Sequence, residues 1–323
     1  MYTLERKDRM KYAGKKIISM IATLLIVSFL VFLAFAVIPG DPAVSKLGTQ
    51  ATPERLEALR EEMGLNRPFL VRYGTWLVDA CRGDFGTSYS YGMPVSDMVL
   101  EKLPITLCLS GMAFLLMLVC SIPLGIYTAK HAGGKIDRAI LVLNQVIMAV
   151  PPFFAGILIT YVFGLIFRWF QPGAFVSYDV SVGRFLYYLI FPAVAIALPK
   201  IAMTVKLLRS SLIDEMKKDY VRTAYSKGNG TNTVLYRHVL KNAIIPVVTF
   251  LAMTLTDMIA GSVIMEQVFS IPGIGRILIT SISNRDYPVV EAIIILLAFI
   301  VIVVNLLSDI LCRAIDPRIR RDA

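Results

Sequence analysis

Histidine is almost missing from this sequence: of 323 residues, only His131 and His238 carry an imidazole. Cysteine and tryptophan are scarce too, at four and two residues. Charged side chains make up 17% of the chain, where soluble domains average about 25%. These scarcities exclude whole classes of function. There is no His-Glu-x-x-His metal motif, no Gly-x-Ser-x-Gly nucleophile elbow and no Cys-x-x-Cys pair. A Gly-x4-Gly-Lys-Ser/Thr phosphate cradle is also missing, because Gly228-Asn229-Gly230 lacks the Lys-Ser/Thr that would follow. Cys81, Cys108, Cys120 and Cys312 give no disulfide framework and read as apolar filler. The chain is expected to catalyse nothing itself, and to hold no metal or cofactor.

What the chain has in excess is apolar sequence. Hydrophobic residues are 56% of it, and the mean hydropathy is +0.68. They fall into runs that suit the roughly 20 residues needed to cross a bilayer core. Ile17 to Ile38, Leu103 to Ala129 and Ala139 to Phe167 contain no charge. Phe185 to Val205 holds only Lys200, and Ala243 to Met265 only Asp257. Val289 to Cys312 holds Glu291 and Asp309 near its ends. These runs predict an all-α polytopic membrane protein with six spans. The third is long for one straight helix and contains Pro151-Pro152, so it is expected to tilt or kink there. The first run is too long for the hydrophobic core of a signal peptide, and no small-x-small site follows it, so it reads as a retained span.

Charge sets the expected orientation. Arg6, Lys7, Arg9, Lys11, Lys15 and Lys16 precede the first run, and Arg313, Arg318, Arg320 and Arg321 follow the last. The positive-inside rule puts both termini in the cytoplasm, which an even number of spans allows. The connections from Lys130 to Arg138 and from Lys206 to Lys241 then lie inside, with three and eight Lys/Arg. The short outer connections, Arg168 to Arg184 and Gln267 to Pro288, have two each. The net charge of +10 is thereby topology signal at the lipid surface, and no nucleic-acid motif accompanies it.

The expected organisation is a cytoplasmic tail over 1–16, a first span over 17–38, an extracytoplasmic region over 39–102, a five-helix core over 103–313 and a cytoplasmic tail over 314–323. No internal repeat or flexible linker is visible. Within 39–102, Thr52-Pro53-Glu54 reads as a helix start and Gly64 as its stop. A second helix is expected from Pro68 to Ala80, with Phe69, Tyr73 and Trp76 on one side, and Gly83-Asp84-Phe85-Gly86 reads as a turn. This region is either a packed outer loop or a contact for a partner protein.

Within the spans, ionisable groups are costly and point to function. Asp257 is the deepest; it lines a translocation path with Met253, pairs with another subunit, or bonds to Thr254 or Thr256. Lys200 can snorkel to an interface. Glu266 and Glu291 fall near the outer ends, where hydration makes charge cheap. Asn305 and Asp309 read as structural. Ala260-Gly261-Ser262 would let helices approach closely.

The most informative segment is Asp219-Tyr220-Val221-Arg222-Thr223-Ala224-Tyr225-Ser226-Lys227-Gly228. It is polar and basic, and the connection around it, at about 210–241, is far longer than the two to eight residues that suffice to join two helices. Asp219 to Lys227 can form a short helix, and Gly228 can take a left-handed turn that sends the chain into a further helix from about Thr231.

On these residues the chain resembles the permease subunits of type I ABC importers, in the dipeptide, oligopeptide and nickel branch, with a MetI-like fold. Ile38-Pro39-Gly40-Asp41-Pro42, Gly64-Leu65-Asn66-Arg67-Pro68 and Gly83 to Ser88 are similar to that branch's pattern. So are Asp219 to Gly228, His238 to Ala243 with Pro246, Glu266 to Phe269, Pro272 to Gly275, Arg285 to Pro288 and Asp316-Pro317-Arg318. One departure is that Arg222-Thr223-Ala224 stands where the general importer loop has Glu-Ala-Ala. The resemblance implies an ATPase-coupling loop made by Asp219, Tyr220, Arg222, Thr223, Ala224, Lys227 and Gly228. It also implies a second homologous permease, two cytoplasmic ABC ATPases that bind the ATP and Mg, and an extracytoplasmic binding protein. Peptides are the implied cargo, with nickel or another metal chelate as the alternative. A secondary transporter would need coupling-ion sites at mid-membrane, for which only Asp257 offers itself.

Overall fold

A computed structural model describes residues 2–37, 41–47 and 52–315. Ile38, Pro39, Gly40 and Asp316 to Arg318, which carry part of the sequence resemblance, lie outside the described residues. The described residues are almost wholly helical, with one isolated bridge between Thr87 and Pro94. Five helices are long and apolar enough to cross a membrane, and a bent pair makes a sixth span if counted as one. The chain divides into two compact units, 1–104 with 272–303, and 105–271 with 304–323.

The first unit begins with α1 (Tyr2–Val37), a single helix that absorbs the expected basic tail and the first span alike. Asp41 then accepts from the Ala43 backbone at 2.9 Å and opens α2 (Pro42–Leu47). The same carboxylate pairs with Arg60 at 2.6 Å, and this hydrogen bond, above all, holds the guanidinium above its ordinary range. α3 (Pro53–Glu62) starts at Thr52, whose hydroxyl accepts from the Arg55 backbone, as the Thr-Pro-Glu signal predicts. α4 (Phe69–Cys81) puts Phe69, Tyr73 and Trp76 against Phe29 and Phe32 of α1, with ring centroids 5.3 to 6.1 Å apart and mostly edge to face. Ser28 and the Tyr73 hydroxyl, 2.9 Å apart, add a polar tie. Gly83 and Gly86 both have positive φ, which closes the expected turn.

The core of this unit joins Val95, Met98 and Val99 of α5 (Val95–Lys130) to Ile274 of α13 (Ile274–Ser283) and to Val289, Ala292 and Ile293 of α14 (Tyr287–Ile315). Asp286, fully buried, ties the connection before α5 to the start of α14. It accepts from the Ser88 hydroxyl and from the backbones of Tyr89 at 2.9 Å and Ser90 at 3.0 Å.

The second unit is built around α8 (Val182–Met216), a 35-residue helix that contains Pro192 and Pro199. At 1.5 Å per residue it is about 52 Å long, well beyond a hydrocarbon core of about 30 Å. Its inner face, including Leu189, Leu208 and Leu212, packs with Leu109 and Met117 of α5 and with Met258 and Met265 of α12 (Ile245–Val268). α5 approaches α8 closely at Gly125, where an added Cβ would sit 2.8 Å from Leu208 Cδ2. Within Ala260-Gly261-Ser262, Ser262 is fully buried, whereas nothing stands within 4 Å of a Cβ on Gly261.

The third apolar run corrects the expectation of one kinked helix. α6 (Lys135–Ala149) ends at Val150, and α7 (Pro152–Ile159), extended by a π-helical segment (Thr160–Ile166), leaves at 101°. Two consecutive prolines remove two amide donors and force extended backbone on the residues before them, so the helix breaks rather than bends. Cys81 and Cys108 are exposed rather than filling the core.

Candidate functional site

The polar segment that stands out in the sequence forms a separate short helix. α8 stops at Lys217, Lys218 takes extended backbone, and α9 (Asp219–Ser226) begins at once. Asp219 sits in the first turn, where a carboxylate complements the helix dipole. Gly228, at φ +80°, donates its backbone N–H to the Tyr225 carbonyl at 2.9 Å and turns the chain. α10 (Thr231–Thr233) follows, then a π-helical segment (Val234–Val239) and α11 (Leu240–Ala243).

α9 is sharply two-faced. Val221 and Ala224, three residues apart, are buried, as are Val234, Leu235 and Val239 of the next segment. The Asp219 and Arg222 side chains are 98% and 81% exposed and lie 3.8 Å apart. Tyr225 is exposed, Thr223 bonds back to the Asp219 carbonyl at 3.2 Å, and Lys227 caps the helix.

Three side chains outside the segment anchor it. Tyr220 donates to the nearly buried Glu215 of α8 at 2.8 Å, and Asn242 of α11 donates to the Tyr220 oxygen at 3.2 Å. Lys218 adds an ion pair to Glu215 at 2.6 Å. Burial holds the Tyr220 phenol above its ordinary pKa, and the hydrogen bond to Glu215 acts in the same direction. Asn229 closes the turn by donating to the Ala224 carbonyl at 3.0 Å. Glu215 and Asn242 were not legible as anchors, because they flank the segment in sequence and meet Tyr220 only through the fold.

Asp257 has a partner that the sequence did not suggest. Lys200 Nζ of α8 lies 2.9 Å from its carboxylate. Thr254 bonds instead to the Phe250 carbonyl, and Thr256 to Asn305. Lys200 therefore pairs across helices rather than snorkelling away. The Asp257 side chain is 63% exposed, and Met253, one turn earlier, is exposed too. An ion pair on an open face, midway along an apolar helix, is incompatible with lipid and calls for water or protein against it.

Two other polar sites are interior. Glu266 is fully buried and accepts from Thr106, and Glu291 is only 6% exposed. Neither has the hydrated position expected for it. Asp137 of α6, with a 1% exposed side chain, takes two 2.7 Å hydrogen bonds from Arg209 of α8 and one of 2.8 Å from the Gly133 backbone. This bidentate lock joins residues 72 apart in sequence.

Long apolar helices with an anchored, two-faced helix between α8 and α12 define a polytopic membrane protein. Family models agree with that class at both ends: residues 121–321 match the binding-protein-dependent transport system inner membrane component, and residues 9–110 match the N-terminal part of such membrane components. The chain belongs to this family of importer permeases. It is 35% identical to a probable peptide ABC transporter permease of Sinorhizobium fredii, over 96% of this chain and 99% of that protein. It is 36% identical to the oligopeptide transport system permease protein AppB of Bacillus subtilis, over 95% and 98%. In fold it is similar to a chain of the inward-facing MetNI methionine ABC transporter, with a TM-score of 0.56 at 16% identity, covering 68% of this chain and 96% of that one.

Proposed function

We propose that this permease carries peptides inward, as half of a translocation path completed by a second, homologous permease. α9 is the observation that carries the coupling part of this reading. A helix of two turns, fixed below by Val221, Ala224 and Tyr220 and open above at Asp219 and Arg222, can pass force between α8 and a partner; a floppy loop cannot. Asp219, Tyr220, Arg222, Thr223, Ala224, Lys227 and Gly228 form the coupling element, docked on one of two cytoplasmic ATPases that bind ATP and Mg. Both termini are cytoplasmic. The region from 39 to 102 is extracytoplasmic, where a binding protein delivers the solute. ATP binding draws the coupling helices together and opens the path outward, and hydrolysis returns it inward.

Asp257 and Met253 line the path, which supplies the water that the Lys200–Asp257 pair requires. Peptide cargo is supported by the peptide and oligopeptide permeases among the relatives. Metal-chelate import by the same architecture is the second reading.

Affinity purification of the tagged chain from its native membrane, with mass spectrometry of what accompanies it, tests the assembly. Recovery of a second permease and one or two ATPases is expected. Recovery of this chain alone, where a known importer stays intact, would overturn the reading. Screening the associated binding protein against peptides and nickel then decides the cargo.

A further inference from the structure

The first unit carries a half-open cavity of about 500 Å³, a size that suits a small organic ligand. Several charged residues line it, and the exposed ones face water; Arg72 and Glu291, of opposite sign, are at least partly buried and do not meet in contact. Arg72 of α4 holds its guanidinium carbon 5.6 Å from the centroid of the Phe32 ring, and makes no hydrogen bond or contact ion pair among the described residues. Glu291, one turn into α14, is 6% exposed, and no hydrogen bond reaches its carboxylate among the described residues. A buried carboxyl group needs hydrogen bonds, and a counter-charge as well where it ionises, and Glu291 has neither in contact.

The wall holds two more unmet groups. The Trp76 indole nitrogen and the Tyr287 hydroxyl are shut off from water without a hydrogen-bond partner. Of six such side-chain atoms among the described residues, these two border one space. Buried polar atoms are nearly always paired, so a concentration of exceptions marks a place where a partner enters. Both atoms are covered in this structure. Tyr89 adds a further aromatic face.

We infer that this cavity binds a small zwitterion, with its carboxylate on Arg72 and its ammonium on Glu291. A lone cation would leave Arg72 unmatched, and a lone anion would leave Glu291 unmatched. A guanidinium offers a forked pair of donors to a carboxylate. The aromatic walls suit both an ammonium and an apolar body between the two ends. An amino acid or dipeptide has this chemistry and fits the space. Arg72 and Glu291 would hold such a ligand whatever cargo the permease carries.

Trp76 and Trp169 are the two tryptophans, so Trp169→Phe leaves one indole, in the cavity wall, as a reporter. The full-length chain with that change, in mild detergent, is titrated with L-alanyl-L-alanine while its fluorescence is followed. A saturable change is expected. It should weaken at least tenfold when the peptide amine is acetylated, and at least tenfold when the carboxylate is amidated. Arg72→Gln should weaken binding of the free dipeptide, and should remove the discrimination against the amide. Glu291→Gln should do the same for the acetylated form. No saturable change on the folded chain, or equal responses to free and blocked dipeptides, would overturn the assignment. The blocked ligands give this answer without any substitution in the cavity, so a variant that fails to fold does not obscure it.

Discussion

Replacing Gly228 separates the fold of the chain from the surface it offers. Its φ of +80° is a left-handed conformation, which costs an ordinary residue about 1–2 kcal/mol, and aspartate or asparagine less. No heavy atom lies within 4 Å of where a Cβ would stand, so no clash adds to that figure. Membrane insertion and the packing of Val221 and Ala224 should therefore survive Gly228→Asp. What changes is the open side of the turn, which gains a side chain and a negative charge where an ATPase is proposed to sit. We expect Gly228→Asp to leave the amount of chain in the membrane and its recovery with the second permease near wild type. ATPase recovery and solute uptake should each fall at least about tenfold, equivalent to about 1.4 kcal/mol of docking free energy. The assay pairs uptake into cells with affinity purification from the same membranes. Gly228→Asn, which keeps the shape and omits the charge, should be milder. Uptake at the wild-type rate by Gly228→Asp would refute docking at this turn, and loss of the chain from the membrane would refute the strain estimate.

Three further outcomes follow from the packing. Asp137→Ala should destabilise the chain by about 3 kcal/mol, the low end for a broken buried pair because Arg209 is partly exposed; a lower thermal midpoint in detergent, partly recovered by adding Arg209→Met, is the check. Gly125→Val should cost about 1–3 kcal/mol through overpacking against Leu208, read in the same unfolding assay, whereas Gly261→Val should cost less. Tyr89 has its phenol pushed up to about 12, chiefly by burial, against about 10 when unfolded. The unfolded chain thus gives up this proton first, so about 2–3 kcal/mol of stability is complete below pH ~10 and is lost as the pH rises through ~12. Tyr89→Phe should flatten that alkaline limb, and an unchanged limb would show that Tyr89 does not titrate there.

The legible parts of the fold were those written in neighbouring residues. Thr52-Pro53-Glu54, the stripe of Phe69, Tyr73 and Trp76, and the helix-then-glycine pattern from Asp219 to Gly228 are local signals, and each has the expected shape. Pairings across the fold were not legible. Lys200 and Asp257, Arg209 and Asp137, and Tyr220 with Glu215 and Asn242 meet because helices pack, and nothing in their spacing announces it. Burial of charge misled for a related reason. Glu266 and Glu291 fall near the ends of apolar runs, where water is the default neighbour, yet the helices around them close over that position. Pro151-Pro152 gave the right place and too small an angle, because the pair acts as a break once its two sides pack separately.

The length of α8 has a mechanical meaning. From Lys200 to Met216 the helix contains no proline, and its main-chain ladder runs unbroken from the ion pair with Asp257 to the Glu215 anchor of α9. That stretch is a stiff strut of about 26 Å. Its soft joints, Pro192 and Pro199, both lie beyond the ion pair as seen from α9. A push on α9 therefore arrives at Lys200 as a nearly rigid displacement, and bending is absorbed only after the charge pair has moved. The compliance of the lever sits at its far end, so a displacement begun at α9 is spent at the Lys200–Asp257 pair.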